Sequence, residues 1–277
     1  MPSIVAKFAS RFELCRLKCS GKLPQISWAD VSAMVVRPSR KWPTHKLADP
    51  RSDFGQSVRF DTPIGSICWD MGNRHDLGLL VFEELCETYQ HGSVTIRKGD
   101  VVLDLGAHVG TFTRFALHRG AARVIAFEPD PSHVAFLRQT FAAEIEKGDV
   151  SIVEAAAWKE EGCARFQSGG VGSKLSDEGA FSVSMTTVDN VVKQLGLDRV
   201  DFMKADIEGA ERHALIGATQ TIKRFGPRMA LCIYHLVDDP QTIPRIVRSI
   251  RPYLVTMNAA REQAYFQVSG VPRHSAN

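Results

Sequence analysis

The chain has 277 residues, 44% of them hydrophobic and 23% charged, the composition of a soluble globular protein with length for one large domain or two small ones. Apolar runs such as Met229 to Tyr234 fall far short of the roughly 20 residues that cross a bilayer, and Met1-Pro2-Ser3-Ile4-Val5-Ala6-Lys7 lacks the layout of a secretory signal; no transmembrane helix is expected, and the expected location is cytoplasmic. A net charge of +3 is too small to argue for nucleic acid, although residues 1 to 60 hold 11 Lys or Arg against 4 Asp or Glu.

Residues 1–75 read as an N-terminal extension. Ile4, Val5, Phe8 and Phe12 fall near helical spacing with Lys7, Arg11 and Arg16 interleaved, which predicts a short helix over Ile4 to Leu17 that docks on the domain or makes peripheral contact with a membrane. Pro38, Pro43 and Pro50 mark the loop that follows. Val58-Arg59-Phe60 and Ser66-Ile67-Cys68-Trp69 flank the turn Pro63-Ile64-Gly65 and predict a small hairpin.

From residue 76 to 270 helical and strand patterns alternate, with 271–277 left as a tail. A helical stretch runs from Leu77 to Tyr89, and strands are expected at Val101 to Leu105, Arg123 to Phe127, Val150 to Ala155, Val200 to Ala205 and Arg228 to Tyr234. Gly162 to Met185 reads as an inserted hairpin, Thr187 opens a helix, and Tyr253 to Met257 with Ala264 to Val268 form an antiparallel pair. The fold class is therefore α/β, a doubly wound, Rossmann-like sheet of about seven strands, mostly parallel and closed by a C-terminal antiparallel pair.

Chemistry is concentrated at the tips of these strands. Asp104-Leu105-Gly106-Ala107-His108-Val109-Gly110 is a strand-to-helix loop whose glycines permit a tight turn and close approach to a ligand. A dinucleotide site needs G-x-G-x-x-G, and His108 occupies the place of its middle glycine, which disfavours a pyrophosphate. S-adenosylmethionine has no phosphate; an acid beside free backbone amides matches its amino-acid end, and Asp104 is the expected partner of its ammonium. Glu128, followed by Pro129 and 24 residues beyond Asp104, stands at the next strand tip, where two carboxylate oxygens suit two ribose hydroxyls.

Four segments taken together resemble the FkbM family of S-adenosylmethionine-dependent methyltransferases over Leu77 to Tyr253: Val102 to Gly110, Phe127-Glu128-Pro129-Asp130, Thr187-Val188-Asp189, and Phe202-Met203-Lys204-Ala205-Asp206-Ile207-Glu208-Gly209-Ala210-Glu211. The resemblance implies a class I methyltransferase fold and methyl transfer to a hydroxyl on a sugar, glycan or natural product. His108 departs from the Asn common in the family but keeps a polar, hydrogen-bonding side chain.

Cofactor contacts are accordingly expected from Asp104, Gly106, Ala107, His108, Gly110, Glu128, Pro129 and Asp206, and catalysis from His235, Asp206 and Glu208. His235, at the end of the fifth strand, is the first choice for general base, on the premise that its pKa stays near the ordinary 6.5 or so. Tyr234 and Asp239 are secondary candidates for touching the acceptor or holding the imidazole. Lys204 shares a strand face with Asp206 and reads as a structural ion-pair partner or a guide for an acidic substrate. Glu84, Glu87 and Tyr89 precede the first strand, where a cover for the cofactor is one reading and a solvated helix face the other. The six cysteines have neither C-x-x-C pairing nor companion histidines, and no resident metal is expected, although Asp104, Asp206 and Glu208 are of the right type to hold a divalent ion. Two other readings stand beside the enzyme: a non-catalytic S-adenosylmethionine-binding partner protein and a nicotinamide-dependent oxidoreductase. The acceptor and the oligomeric state are not legible.

Overall fold

The structure is a computed structural model that describes residues 44–46, 57–70, 74–167, 174–175, 178–258 and 262–269. The expected helix at Ile4 to Leu17 and most of the basic leader lie outside the described residues. By contact the chain groups into two compact units, Met1–Thr88 and Tyr89–Asn277.

In the first unit β2 (Ser57–Thr62) and β3 (Gly65–Asp70) pair antiparallel across a two-residue turn, with β1 (Thr44–Lys46) added on the free side of β2. The hairpin is the one read from Pro63-Ile64-Gly65, and Phe60, Ile67 and Cys68 are fully buried. The helix α1 (Arg74–Leu85) follows and is counted with this unit.

The second unit is built on a seven-stranded sheet. Its strands are β4 (Val101–Leu105), β5 (Arg123–Phe127), β6 (Val150–Val153), β11 (Phe202–Ala205), β12 (Arg228–Cys232), β13 (Tyr253–Met257) and β14 (Gln263–Val268), in the order β13-β14-β12-β11-β4-β5-β6. All neighbours are parallel except β14, which runs antiparallel to both β12 and β13. The strands β4, β5, β11 and β12 are buried almost throughout, as parallel strands covered on both faces must be. One face carries Leu103, Leu105, Ile125, Phe127, Met203 and Leu231 against helices α5 (Val188–Gln194), α6 (Glu211–Gly217), α7 (Thr219–Phe225) and α8 (Asp239–Ile250). On the other, Ala126 and Val150 meet Leu137 and Phe141 at helix α3 (Pro131–Thr140). Helix α2 (Thr111–His118) follows β4, and α4 (Ala142–Lys147) leads into β6.

Local chemistry sets several of these boundaries. Asp130 caps α3 by accepting the Ser132 N–H at 2.9 Å, with Pro131 at the first helical position. Thr187 caps α5 by accepting the Asn190 N–H at 3.0 Å, as its place in the sequence predicts. The insertion between β6 and α5 is larger than one hairpin: β8 (Gly162–Gln167) and β10 (Phe181–Thr186) pair antiparallel, and β7 (Ala156–Ala157) and β9 (Lys174–Leu175) complete a four-stranded sheet, β7-β10-β8-β9.

The chain leaves β4 for β5 and β6 on one side and returns on the other with β11. The carboxyl ends of β4 and β11 thus flank the point where strand order reverses, and open sheets of this kind bind their ligands there.

Candidate active site

Two segments meet at that point, the loop Gly106–Gly110 after β4 and the turn Asp206–Ala210 after β11. Gly106 has φ +81°, and a Cβ built on it would lie 2.1 Å from the Asp206 carbonyl oxygen. Only glycine permits both that conformation and that approach. Gly110 has φ +88° and a built Cβ 2.4 Å from Cε2 of Phe141. His108 and Glu208 hold left-handed backbones, at φ 52° and 54°, without glycine's freedom, and such backbone strain concentrates at functional sites.

The loop amides are not left open in the way the sequence suggested. Gly106 N and Ala107 N both donate to the Phe127 carbonyl, at 3.1 and 2.9 Å, and Gly110 N donates to the Ala107 carbonyl at 2.8 Å. His108 N donates to Glu128 Oε2 at 2.8 Å, and Asp130 N to Glu128 Oε1 at 2.9 Å. The loop closes on the tip of β5, and Glu128 is the clasp. Half-buried Pro129 has no N–H to give, so Asp130 is the next donor in the chain.

The Asp104 carboxylate is wholly buried, with Lys204 Nζ 3.1 Å from Oδ1 and Thr113 Oγ1 donating to Oδ2 at 2.7 Å. Lys204 also donates to the Gly106 carbonyl at 2.7 Å, and its ammonium lies over the Tyr89 and Phe112 rings at 5.4 and 5.8 Å. Lys204 is thus a structural ion-pair partner, and the acid it meets is Asp104 on the neighbouring strand. The expected partner of a cofactor ammonium already faces one.

His108 and His133 cross edge to face at 4.2 Å, and His133 Nδ1 lies 3.4 Å from Glu128 Oε1. Burial, then the positive charges of His133 and Lys204, hold the His108 pKa well below its ordinary value. His108 is neutral at physiological pH.

Across from the loop, His235 sits in the segment after β12 among three carboxylates: Glu211 Oε1 is 3.0 Å from Nδ1, Asp206 Oδ1 3.5 Å and Glu208 Oε2 3.7 Å from Nε2. Asp206 Oδ2 accepts from the Tyr89 hydroxyl at 2.7 Å, Tyr234 Oη is 3.4 Å from Oδ1, and the Tyr234 ring packs on His235 at 4.1 Å. Burial by itself lowers the His235 pKa; the hydrogen bond and charge of Glu211, with the charges of Asp206 and Glu208, outweigh it and raise the value to about 9. The premise of an ordinary imidazole is therefore corrected: His235 is protonated at neutral pH.

The group that holds this imidazole is Glu211, quoted in the sequence motif but given no role there. It is buried to 1% exposure and also accepts the Ile207 N–H at 2.9 Å. Asp239 instead receives Arg212 and the Leu236 N–H at 2.7 and 2.8 Å, which pins the loop that carries His235.

A sheet in the order β6-β5-β4-β11-β12-β14-β13, with loop and acids at the switch point, is that of the class I methyltransferases. The FkbM methyltransferase domain matches residues 104–265, and the chain belongs to that family. It is 26% identical over 249 residues to the 31-O-demethyl-FK506 methyltransferase FkbM of Streptomyces tacrolimicus, covering 77% of this chain and 94% of that one. It is 24% identical over 220 residues to the hexuronic acid methyltransferase AglP of Haloferax volcanii, covering 75% and 85%. The crystal structure of an FkbM methyltransferase from Methylobacillus flagellatus shares the fold, with TM-score 0.52 and 20% identity over 72% of this chain; the match spans 55% of that solved chain.

Proposed function

We propose that this methyltransferase uses S-adenosylmethionine to methylate a hydroxyl on a sugar, glycan or natural product. The observation that carries the reading is the Glu128 clasp, a buried carboxylate at the tip of β5 bound to the His108 and Asp130 amides beside a glycine loop that carries His108 where a pyrophosphate site needs its middle glycine. In this reading Glu128 holds the ribose hydroxyls, and Gly106, Ala107, His108, Gly110 and Pro129 shape the wall around the adenosyl group. Asp104 acts at one remove, fixing the loop through Lys204, while Asp206 faces the positively charged end. The names of the relatives support the substrate class, one naming 31-O-demethyl-FK506 and one a hexuronic acid.

Transfer is then an in-line displacement. The acceptor oxygen forms its bond to the methyl carbon as the sulfur–methyl bond breaks, leaving a neutral thioether, and the hydroxyl proton passes to the acidic cluster. With His235 already protonated, the first acceptor is Asp206 or Glu208, both half-buried; His235 serves as base only after losing its own proton. Positioning supplies most of the acceleration.

The test is calorimetric titration with S-adenosylmethionine, S-adenosylhomocysteine and NAD. Binding of both adenosyl ligands and not NAD is expected, with Glu128→Ala weakening both at least tenfold. NAD binding without response to the adenosyl ligands overturns the cofactor, and an unchanged Glu128→Ala affinity overturns the ribose contact. Methyl transfer to no member of a panel of sugar, glycan and polyketide hydroxyls would leave a binding protein.

A further inference from the structure

Three carboxylates converge on one imidazole after β11 and β12, more negative charge than a single imidazole balances. Asp206, Glu211 and His235 each present a ligand atom within 4.8 Å of the others. On the Nε2 side of the imidazole the geometry is poor for hydrogen bonding alone. His235 Nε2 stands 3.5 Å from Asp206 Oδ1 and 3.7 Å from Glu208 Oε2, beyond the roughly 2.7–3.2 Å of a good N–H···O bond. Ligand atoms bound to one divalent ion at about 2.1 Å stand about 3.0–3.5 Å apart, close to these separations.

Two further features point the same way. Metal-ligating histidines commonly give their other ring N–H to a carboxylate, which fixes tautomer and orientation; Glu211 Oε1 stands 3.0 Å from Nδ1. The second Glu211 oxygen, Oε2, is buried and meets no hydrogen-bond donor, although Glu211 is only 1% exposed. A buried carboxylate oxygen left unmatched is costly, and a cation beside it removes the cost.

We propose that His235, Asp206 and Glu211 form a binding site for one divalent cation of the Mn²⁺ or Mg²⁺ class, with Glu208 closing its exposed rim. A mixed oxygen and imidazole donor set without thiolate suits such ions. Asp206 and Glu208 are half-exposed, so the ion keeps positions open toward solvent. Under the methyl-transfer reading those positions take the acceptor hydroxyl and lower its pKa; the site itself rests only on the cluster.

The experiment is Mn²⁺ titration of the full chain after chelator treatment, followed by the electron paramagnetic resonance of free Mn²⁺, with neither cofactor nor acceptor present. One saturable site per chain is expected, competed by Mg²⁺, weakened at least tenfold by His235→Gln and Asp206→Asn, and ten- to hundredfold by Glu211→Gln. Circular dichroism and thermal unfolding check that each variant is folded; Asp206→Asn, at the half-exposed edge, serves if the buried changes unfold the chain. The absence of a saturable site in the wild type, or equal binding by folded variants, overturns the proposal, the cluster then being an imidazolium clamped by carboxylates. Adenosyl-ligand binding is measured separately, so either reading can fail alone.

Discussion

His235 is reached by Glu211 from α6, by Asp206 and Glu208 from the turn before it, and by the Tyr234 ring from its own segment. Burial lowers its pKa, but the three carboxylates outweigh that and raise it from 6.5 to about 9, so in metal-free protein the folded state binds a proton that the unfolded chain releases at lower pH. The resulting stabilisation is complete below about pH 6.5 and is lost as pH rises through about 9. In chelator-treated protein the melting temperature should decline across that window, and His235→Gln should flatten the decline. Parallel curves for the two proteins would contradict the account of the imidazole.

Lys204 and Asp104 present the opposite economy at the same scale. Each is almost wholly buried and is tolerable because it is paired, Asp104 with Lys204 and Thr113, and Lys204 also with the Gly106 carbonyl. Asp104 was readable in the sequence as a cofactor partner and Lys204 as an ion-pair partner, and their pairing across adjacent strands was not. Neutral His108 keeps an uncharged polar side chain in the loop, packed against His133.

Among the elements, the loop between β4 and α2 and the turn between β11 and α6 behave as one part. Gly106 lies against the Asp206 carbonyl, and Asp206 N donates back to the Leu105 carbonyl at 3.2 Å. Gly106→Ala therefore strains a left-handed backbone, at about 1–2 kcal/mol, and pushes the Asp206 turn away as well. The expected outcome is a lower melting temperature together with at least a tenfold loss of S-adenosylmethionine affinity by calorimetry. A variant that melts early yet binds the cofactor as before would show that the contact between the two segments is structural only. Element positions were largely legible: β4 and β5 coincide with the segments read from hydrophobic runs, whereas β11 begins at Phe202 and β12 stops at Cys232. Strand ends depend on where a neighbour's hydrogen bonds run out, and that is set by register.

For the whole molecule, the antiparallel pair β13–β14 completes the sheet as part of the core. Phe266 on β14 is fully buried, opposite Met229 of β12 and Val255 of β13, and its ring meets Tyr253 at 6.2 Å. Phe266→Ala should cost about 3–5 kcal/mol in urea unfolding. A loss below about 1 kcal/mol would mean that this edge does not belong to the cooperative unit.

By itself the sequence determined the strand and helix pattern, the glycine loop, the acids at the strand tips and the family. Each is a local property, written in apolar periodicity, turn chemistry or a contiguous motif. Only the tertiary structure decided that Asp104 is spent on Lys204, that Glu128 clasps the loop, and that Asp206, Glu208 and Glu211 surround His235. Those groups lie up to 100 residues apart for the Lys204–Asp104 pair, and their charge states depend on burial and on distances of 3 to 4 Å. The order of strands in the sheet fixes those distances; spacing along the chain does not.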